Sequence, residues 1–318
     1  MSLWTKRIVF GDSLSYPSPH AATVCALPGG DLMAAWYAGS HEFASDVVIL
    51  GAFFRQSTAA WTDPTVLVET EGYTVGNPVL FLANPDDLRL FYSVMYRPLD
   101  WGACKLKYRV SNDLGVTFGP RHVLRDETGL MPRNKPCTLS NGDLLLPLYD
   151  DRSPRASVCL ISGDGGHTWE TSLPIRSAPG NEQPTIVELP AGDLLCLMRT
   201  EGGGPIWRSR STNRGRSWSP PRPLSLPNPD AGIDMVWTRR DRLVLAFNNS
   251  AHLRSPLSLA VSDDHGETWR VALDIETGPG EYSYPALIQG RDGVLHLLYT
   301  NRRFAIAHVT LDEAALDG

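Results

Sequence analysis

A tight turn followed by an apolar strand recurs six times along the 318-residue chain. The copies read PGGDLMAAWY, NPDDLRLFYS, SNGDLLLPLY, PAGDLLCLMR, RRDRLVLAFN and GRDGVLHLLY, and they are centred on Asp31, Asp87, Asp143, Asp193, Asp241 and Asp292. Gly, Asn, Pro and Asp are the residues that close such turns, and the segments after them are rich in strand-forming side chains. A repeat every fifty residues or so is typical of propellers and other arrays. Six units of this length therefore predict six four-stranded β-sheets.

A second repeat, with the template Ser-x-Asp-x-Gly-x-Thr-Trp, occurs four times. The copies are SNDLGVTF from Ser111, SGDGGHTW from Ser162, STNRGRSW from Ser211 and SDDHGETW from Ser262. A metal loop or a sugar platform would be needed once, whereas a turn that recurs with the structural unit serves to build that unit. The Asp or Asn side chain bonds backbone amides, and the Gly supplies a left-handed conformation. We call these four segments boxes. We predict that they are structural turns on outer hairpins, remote from any active site.

The rest of the sequence favours an all-β fold. No segment shows convincing helical periodicity, and strands such as VVILGAFF and TIVEL are bounded by Gly and Pro. Closed propellers are single domains, and the repeats leave no room for a linker. We therefore predict one six-bladed β-propeller domain with four-stranded antiparallel blades over residues 1–318.

Composition narrows the possible partners and compartments. The formal net charge is −6, without a Lys/Arg tract, which argues against nucleic acid but leaves room for a local arginine cluster that binds an anion. No apolar run or charged leader indicates a membrane span or a secretory signal. Five cysteines, an odd number lying mostly in apolar strands, favour reduced thiols and a cytoplasmic protein. Scattered histidines and few carboxylates per box predict neither a metal site nor a cofactor.

Boxes on a six-bladed plan resemble the sialidase superfamily, also called BNR-repeat proteins, over nearly the full length of the chain. Boxes alone imply no activity, because they also occur in non-catalytic propellers. Three further segments carry the resemblance to the active enzymes. Glu182 and Arg199 match the glutamate and an arginine of the sialidase site in the segment GNEQPTIVELPAGDLLCLMRT. Arg254 matches another sialidase arginine in NNSAHLRSPLSLAVSDDHGETW. Tyr282 matches the sialidase nucleophile in GEYSYPAL, with Tyr284 as the fallback.

The chemistry that the resemblance implies is coherent. Sialic acid carries a carboxylate on its anomeric carbon, which would repel a carboxylate nucleophile, so a neutral tyrosine is suited to attack there. A phenol has a pKa near 10 and needs a base, a role that falls to Glu182. Arg199 and Arg254 would then hold the substrate carboxylate in fork geometry.

The sequence departs from the sialidase pattern at two places. SPHAATVCALP has His20 where sialidases have the first arginine of a carboxylate-binding triad, and two arginines with a histidine make a weaker clamp. AGSHEFASDVVIL offers Glu42 as the acid/base, with Asp46 as a less favoured candidate. Arg133 and Lys135, in PRNKP, are expected to add positive charge near the substrate. The segments RNKP, NEQPTI, LPNPDAGID and YSYPAL resemble a bacterial and plant branch with diverse activities.

Three functions stay open on the sequence. The favoured one is an exo-glycosidase acting on a terminal anionic sugar, with Tyr282 and Glu182 as nucleophile and base and Glu42 as acid. The second is a uronate lyase, in which arginines neutralise the C5 carboxylate and His20 or Tyr282 moves the proton. The third is a non-catalytic glycan-binding propeller. In each case the expected partner is an anionic carbohydrate or a small acidic substrate, and neither nucleic acid nor a membrane.

Overall fold

The structure is a computed structural model that describes residues 3–97 and 99–317. The first eleven strands are β1 Trp4–Gly11, β2 Ser18–Ala26, β3 Leu32–Gly39, β4 Val48–Arg55, β5 Ala60–Trp61, β6 Thr65–Val68, β7 Val75–Asn84, β8 Asp87–Met95, β9 Cys104–Ser111, β10 His122–Val123 and β11 Leu130–Pro132. The following strands are β12 Cys137–Thr138, β13 Leu144–Asp150, β14 Ala156–Ser162, β15 Glu170–Thr171, β16 Asn181–Glu188, β17 Leu194–Thr200, β18 Gly204–Ser211, β19 Arg222–Asn228, β20 Asp234–Trp237, β21 Leu243–Asn248, β22 Leu257–Ser262, β23 Arg270–Glu276, β24 Tyr282–Gln289, β25 Leu295–Asn301 and β26 Ala305–Leu311. Within the described residues the helices are two short 3-10 turns, Trp101–Ala103 and Glu313–Leu316.

The chain divides into two compact units. The first unit comprises Met1–Pro132 and Tyr284–Glu313, and the second comprises Arg133–Ser283 and Ala314–Gly318. The sheets of the first unit are β2-β3-β4-β5 with β6 on β4, β10-β9-β8-β7, and β1-β26-β25-β24. Those of the second unit are β13-β14-β15 with β12 on β13, β16-β17-β18-β19, and β20-β21-β22-β23. The predicted fold class, an all-β six-bladed β-propeller with antiparallel blades, is confirmed.

Apolar side chains of successive sheets pack together within each unit. In the first unit, one cluster includes the fully buried Trp36, and another includes Tyr37 and Tyr92. In the second unit, Phe247 belongs to a cluster that joins the last two sheets. All five cysteines are free thiols, as the sequence predicts. Among the described residues, the structure has no helix of the length and apolarity that a membrane crossing requires.

Both sequence repeats occupy the predicted kind of turn. The six Asp-centred turns join the first two strands of each sheet, and the four boxes join the third strand to the outermost one. In the second box, Ser162 Oγ donates to Asp164 at 2.7 Å and accepts from the Gly166 amide at 2.7 Å. Thr168 donates its amide and its hydroxyl to the same carboxylate at 2.9 and 2.6 Å. Hydrogen bonds from Thr168 and Ser162 hold the pKa of Asp164 well below its usual range.

Four of the first strands share a local irregularity. Each has one non-glycine residue in the left-handed region near its beginning: Ala21 at φ 52°, Asn77 at φ 48°, Gln183 at φ 51° and Tyr284 at φ 53°. The strand register shifts at this point in β2, β7 and β16. A bulge of this kind re-aims neighbouring side chains and is common next to active sites. His20 and Glu182 directly precede such a residue, and Tyr284 is itself one.

Candidate active site

Glu182 and Arg199 face each other across one hairpin of the second unit. They are register partners on β16 and β17, and Arg199 Nε lies 3.6 Å from Glu182 Oε1. Arg155, in the loop between β13 and β14, donates Nη1 to the same oxygen at 3.2 Å. Glu182 is 3% exposed. The structure thus brings the two residues together as the sequence predicts, and it adds a second arginine.

The environment of Glu182 suits a group that exchanges a proton. Burial raises the pKa of its carboxyl, and this effect outweighs the charges of Arg199 and Arg155, which lower it. Asp230 and Asp151 contribute further in the raising direction. A carboxyl whose pKa is raised is a better general base than an ordinary surface glutamate.

Arg155 connects Glu182 to two more acids that the sequence analysis missed. Its Nε donates to Asp151 at 2.9 Å, and its Nη1 lies 3.7 Å from Glu201. Burial raises the pKa of Asp151, although Arg155 opposes this. The segment DDRSPR, which holds Asp151 and Arg155, carries a dense charge cluster at the end of an apolar strand, and that signal was available in the sequence.

Arg199 is held by two further partners. Asp230 Oδ1 accepts a hydrogen bond from its Nε at 2.8 Å and lies 2.8 Å from its Nη2. Its Nη1 donates to Gln183 Oε1 at 2.9 Å. Asp230 lies in the segment LPNPDAGID, and it was not predicted as a site residue. Its position means that the guanidinium already has a carboxylate partner.

Arg254 and Tyr282 lie side by side in the second unit. The Tyr282 amide donates to the Arg254 carbonyl at 2.8 Å, and Asn248 donates Nδ2 to the Tyr282 carbonyl at 2.9 Å. Arg254 donates Nη1 to Glu281 at 3.0 Å and Nη2 to the Asp230 carbonyl at 3.0 Å. Tyr282 is 2% exposed. Arg254 and Arg199 therefore meet at one acidic turn, while the pairing of Tyr282 with Glu182 stays a prediction.

A cavity of about 630 Å³ opens beside the Arg254–Glu281 ion pair. Residues 252–256 and 277–281 line it. Glu281 also accepts a hydrogen bond from Ser283 Oγ at 2.5 Å. Glu281 and Ser283 directly precede and follow Tyr282, so these bonds connect Arg254 to the residues on either side of it in the sequence. The volume is within the range of small-ligand clefts.

Lys135 and Arg133 are placed differently from the other predicted residues. Lys135 Nζ pairs with Asp234 at 2.7 Å and donates to the Met235 carbonyl at 2.8 Å. Arg133 is buried. Between them, Asn134 donates to the Gln183 carbonyl at 3.0 Å and so supports the strand that carries Glu182. Lys135 thus neutralises a buried aspartate.

A separate cluster in the first unit surrounds Glu42. Tyr37 donates Oη to Glu42 Oε1 at 3.2 Å, and Arg303 Nη1 pairs with Oε2 at 2.7 Å. Burial raises the pKa of Tyr37 well above its usual value, and the Glu42 charge adds to this, so the phenol keeps its proton. Arg303 was missed by the sequence analysis, because it lies in an ordinary hairpin turn, TNRRF.

His20 lies against two aromatic rings of the same unit. Its ring centroid is 4.4 Å from that of Tyr284 and 5.5 Å from that of Tyr37, in both cases edge to face. The side chain is fully buried. In this arrangement His20 packs against both tyrosine rings.

Asp46 has a local role in the loop that carries Glu42. Its carboxylate accepts hydrogen bonds from the amide and the hydroxyl of Ser40, at 3.1 and 3.0 Å. Thr74 holds the other side of this loop by donating to the Phe43 and Ala44 carbonyls at 2.8 and 2.7 Å. Of the two acid/base candidates, Asp46 therefore braces the loop, and Glu42 points to Tyr37 and Arg303.

The charged clusters consist of ion pairs and hydrogen bonds rather than an evident metal centre. In residues 3–97 and 99–317, no group of three or more His, Cys, Asp or Glu side chains is arranged to hold a metal ion. The acids around Glu182 are instead interleaved with Arg155 and Arg199. This arrangement can move a proton.

Two curated proteins are similar in sequence to part of the chain. The anhydrosialidase of Macrobdella decora is 28% identical over 182 residues, and the sialidase of Micromonospora viridifaciens is 29% identical over 154 residues. These matches cover 50% and 45% of this chain, and 23% of the length of each relative. The chain therefore spans well under half of the curated relatives that it matches.

A solved structure is similar over almost the whole chain. The Trypanosoma rangeli sialidase, in a covalent intermediate with 2,3-difluorosialic acid, aligns with a TM-score of 0.81 and 15% identity. The alignment covers 99% of this chain and 59% of that one. At this identity the likeness shows a common fold. The model of the BNR repeat-like domain matches residues 30–297, and the chain belongs to that family.

Proposed function

We propose that this protein is a sialidase-like exo-glycosidase that acts on a terminal anionic sugar. The observation that carries the proposal is the buried Glu182 carboxyl, held between Arg155 and Arg199, with Arg254 tied to the same acidic turn as Arg199. The partial sequence similarity to an anhydrosialidase and to a sialidase supports the same reaction class.

In the proposed first step, the Tyr282 phenol attacks the anomeric carbon. Glu182 accepts the phenol proton as the new carbon–oxygen bond forms, and Glu42 donates a proton to the leaving oxygen as the glycosidic bond breaks. To act in this way Glu42 must be protonated, so its ion pair with Arg303 has to loosen during the cycle. The product of this step is a glycosyl-tyrosine.

In the second step, water replaces the tyrosine. Glu42, now a carboxylate, takes a proton from the water that attacks the anomeric carbon. The bond between the sugar and Tyr282 breaks, and Glu182 returns its proton to the phenolate. Arg199 and Arg254 bind the carboxylate of the sugar throughout, because their guanidinium forks match its geometry.

Covalent trapping tests the nucleophile. The protein is incubated with 2,3-difluorosialic acid, and its intact mass is measured before the labelled peptide is sequenced. We expect one sugar adduct on Tyr282, lost in Tyr282→Phe and kept in the matched variant Tyr284→Phe. An adduct on Tyr284 would move the nucleophile to the residue that packs on His20, and hydrolysis without any adduct would refute the covalent mechanism.

One observation favours a lyase as the second candidate. His20 contacts the rings of both Tyr284 and Tyr37, and a His–Tyr pair is able to remove and return a proton. A lyase would release an unsaturated, ultraviolet-absorbing uronate without added water. The neutral variant His20→Gln is the suitable test, because the side chain is fully buried and an arginine there would introduce an uncompensated charge. A lyase loses turnover in this variant, whereas a hydrolase keeps it.

A further inference from the structure

Both arginines proposed to bind the sugar carboxylate are already engaged at one turn. Asp230 Oδ1 lies 2.8 Å from Nε and 2.8 Å from Nη2 of Arg199, and the Asp230 carbonyl accepts from Nη2 of Arg254 at 3.0 Å. The Nε–Nη2 edge is one of the two edges by which a guanidinium recognises a carboxylate. The Asp230 side chain thus stands where a sugar carboxylate would bind.

The other edge of the Arg199 guanidinium is also occupied. Its Nη1 donates to Gln183, which is 2% exposed, and the Arg199 side chain itself is only 8% exposed. The Asp230 side chain keeps 36% of its surface exposed. Of these two partners, Asp230 is therefore the one that a ligand arriving from solvent can displace.

The turn is built to present Asp230 in this position. The residue has φ 57°, in the left-handed region that Asp and Asn adopt more readily than most residues. The fully buried Asn228 closes the turn with two hydrogen bonds to Ala231. Its Nδ2 donates to the Ala231 carbonyl at 2.8 Å, and its Oδ1 accepts from the Ala231 amide at 3.1 Å. The position of the carboxylate is thus set by the fold of the turn as well as by its side-chain rotamer.

We propose that Asp230 determines the specificity of the site by competing with the sugar carboxylate for Arg199. Two carboxylates on one guanidinium edge repel each other, so a sugar acid binds only after the Asp230 side chain has left. The identity of the ligand rests on the proposed function, whereas the competition at Arg199 does not. Removing the Asp230 charge is expected to favour acidic sugars over neutral ones.

The first test compares N-acetylneuraminic acid with its uncharged methyl ester by calorimetric titration. Asp230→Asn should bind the acid at least tenfold more tightly than the wild type and the ester with unchanged affinity. Asp241→Asn is a matched control, because Asp241 is exposed, lies in the same unit and has a similar φ of 55°. An unchanged affinity for the acid, or an equal gain for acid and ester, overturns the proposal. In turnover assays the gain should appear as a lower KM for the acid and not for the ester.

The second test needs no sugar. Thermal unfolding of the wild type, Asp230→Ala and Asp241→Ala is measured in acetate and in chloride at equal ionic strength. Acetate should raise Tm for Asp230→Ala alone, because it refills the vacated edge of Arg199. If acetate does so while no variant binds the sugar acid, the competition is supported and the proposed function fails. If acetate acts equally on all three while sialoside hydrolysis is observed, the function stands and the role of Asp230 is refuted.

Discussion

Replacing His308 with glutamine is expected to remove an acid-sensitive contribution to stability. Trp61 Nε1 lies 3.1 Å from His308 Nδ1, and His308 Nε2 lies 3.0 Å from His296 Nδ1. Because an indole nitrogen only donates, His308 Nδ1 must be the acceptor, and the imidazole proton must sit on Nε2. His308 thus fits its site as the neutral ring, in a single tautomer.

The size of the effect follows from the pKa of His308. Burial lowers this pKa from 6.5 to about 3, and electrostatic interactions with His296 and Arg7 act in the same direction. Since the folded pKa lies below the unfolded one, this contribution to stability is present above pH 6.5 and is lost as the pH falls toward 3. At pH 4.5, two pH units below the unfolded value, the loss is about 2.7 kcal/mol at about 1.36 kcal/mol per pH unit.

Urea unfolding at pH 7.5 and pH 4.5 measures this loss. The wild type should lose about 2.7 kcal/mol more between the two pH values than His308→Gln, even though the variant is less stable at pH 7.5. His265→Gln is the control, because that histidine is exposed. Equal losses in the wild type and His308→Gln would refute the assignment of the acid sensitivity to His308.

Three further substitutions test the site and the scaffold. Glu182→Gln should lower kcat at least about a hundredfold without lowering Tm, as measured on a sialoside, because the tyrosine loses its base; a loss confined to KM would contradict this. Glu42→Gln should slow the release of sugar leaving groups far more than that of activated aryl groups, and an equal effect on both would remove its role as acid. Ser162→Ala should lower the free energy of unfolding by about 1 kcal/mol, because buried hydrogen bonds are lost, and leave turnover per folded molecule unchanged; a change in turnover would mean that the boxes are more than scaffold.

The sequence predicts the architecture well because the repeats are local. Each Asp-centred turn and each box specifies its own hairpin through hydrogen bonds between residues a few positions apart, as between Ser162 and Asp164. The same locality explains why the sequence places Glu182 and Arg199 close together, since one short hairpin joins their strands. Pairs of this kind need no knowledge of the tertiary structure.

Two of the missed residues, Asp230 and Arg303, depend on contacts between distant segments. Asp230 reaches Arg199 from 31 positions away, and Arg303 reaches Glu42 from 261 positions away. No periodic sequence pattern predicts side-chain contacts of this kind. The strand bulges left a weaker signal, because a proline directly follows the left-handed residue in Asn77-Pro78, Gln183-Pro184 and Tyr284-Pro285. The recurrence of this proline at the start of three first strands could have identified them.

The pairing of β1 with β26 has a consequence for biosynthesis. β1 is the outermost strand of a sheet whose other strands, β24 to β26, lie nearly the whole chain away. At about 5 to 20 residues per second, a ribosome needs roughly 15 to 60 s to deliver its partner. During that interval β1 is an unpaired edge segment that is able to pair with the wrong strand. Lys6 and Arg7, in the middle of it, disfavour such pairing, because charged side chains on an edge oppose strand addition by other chains.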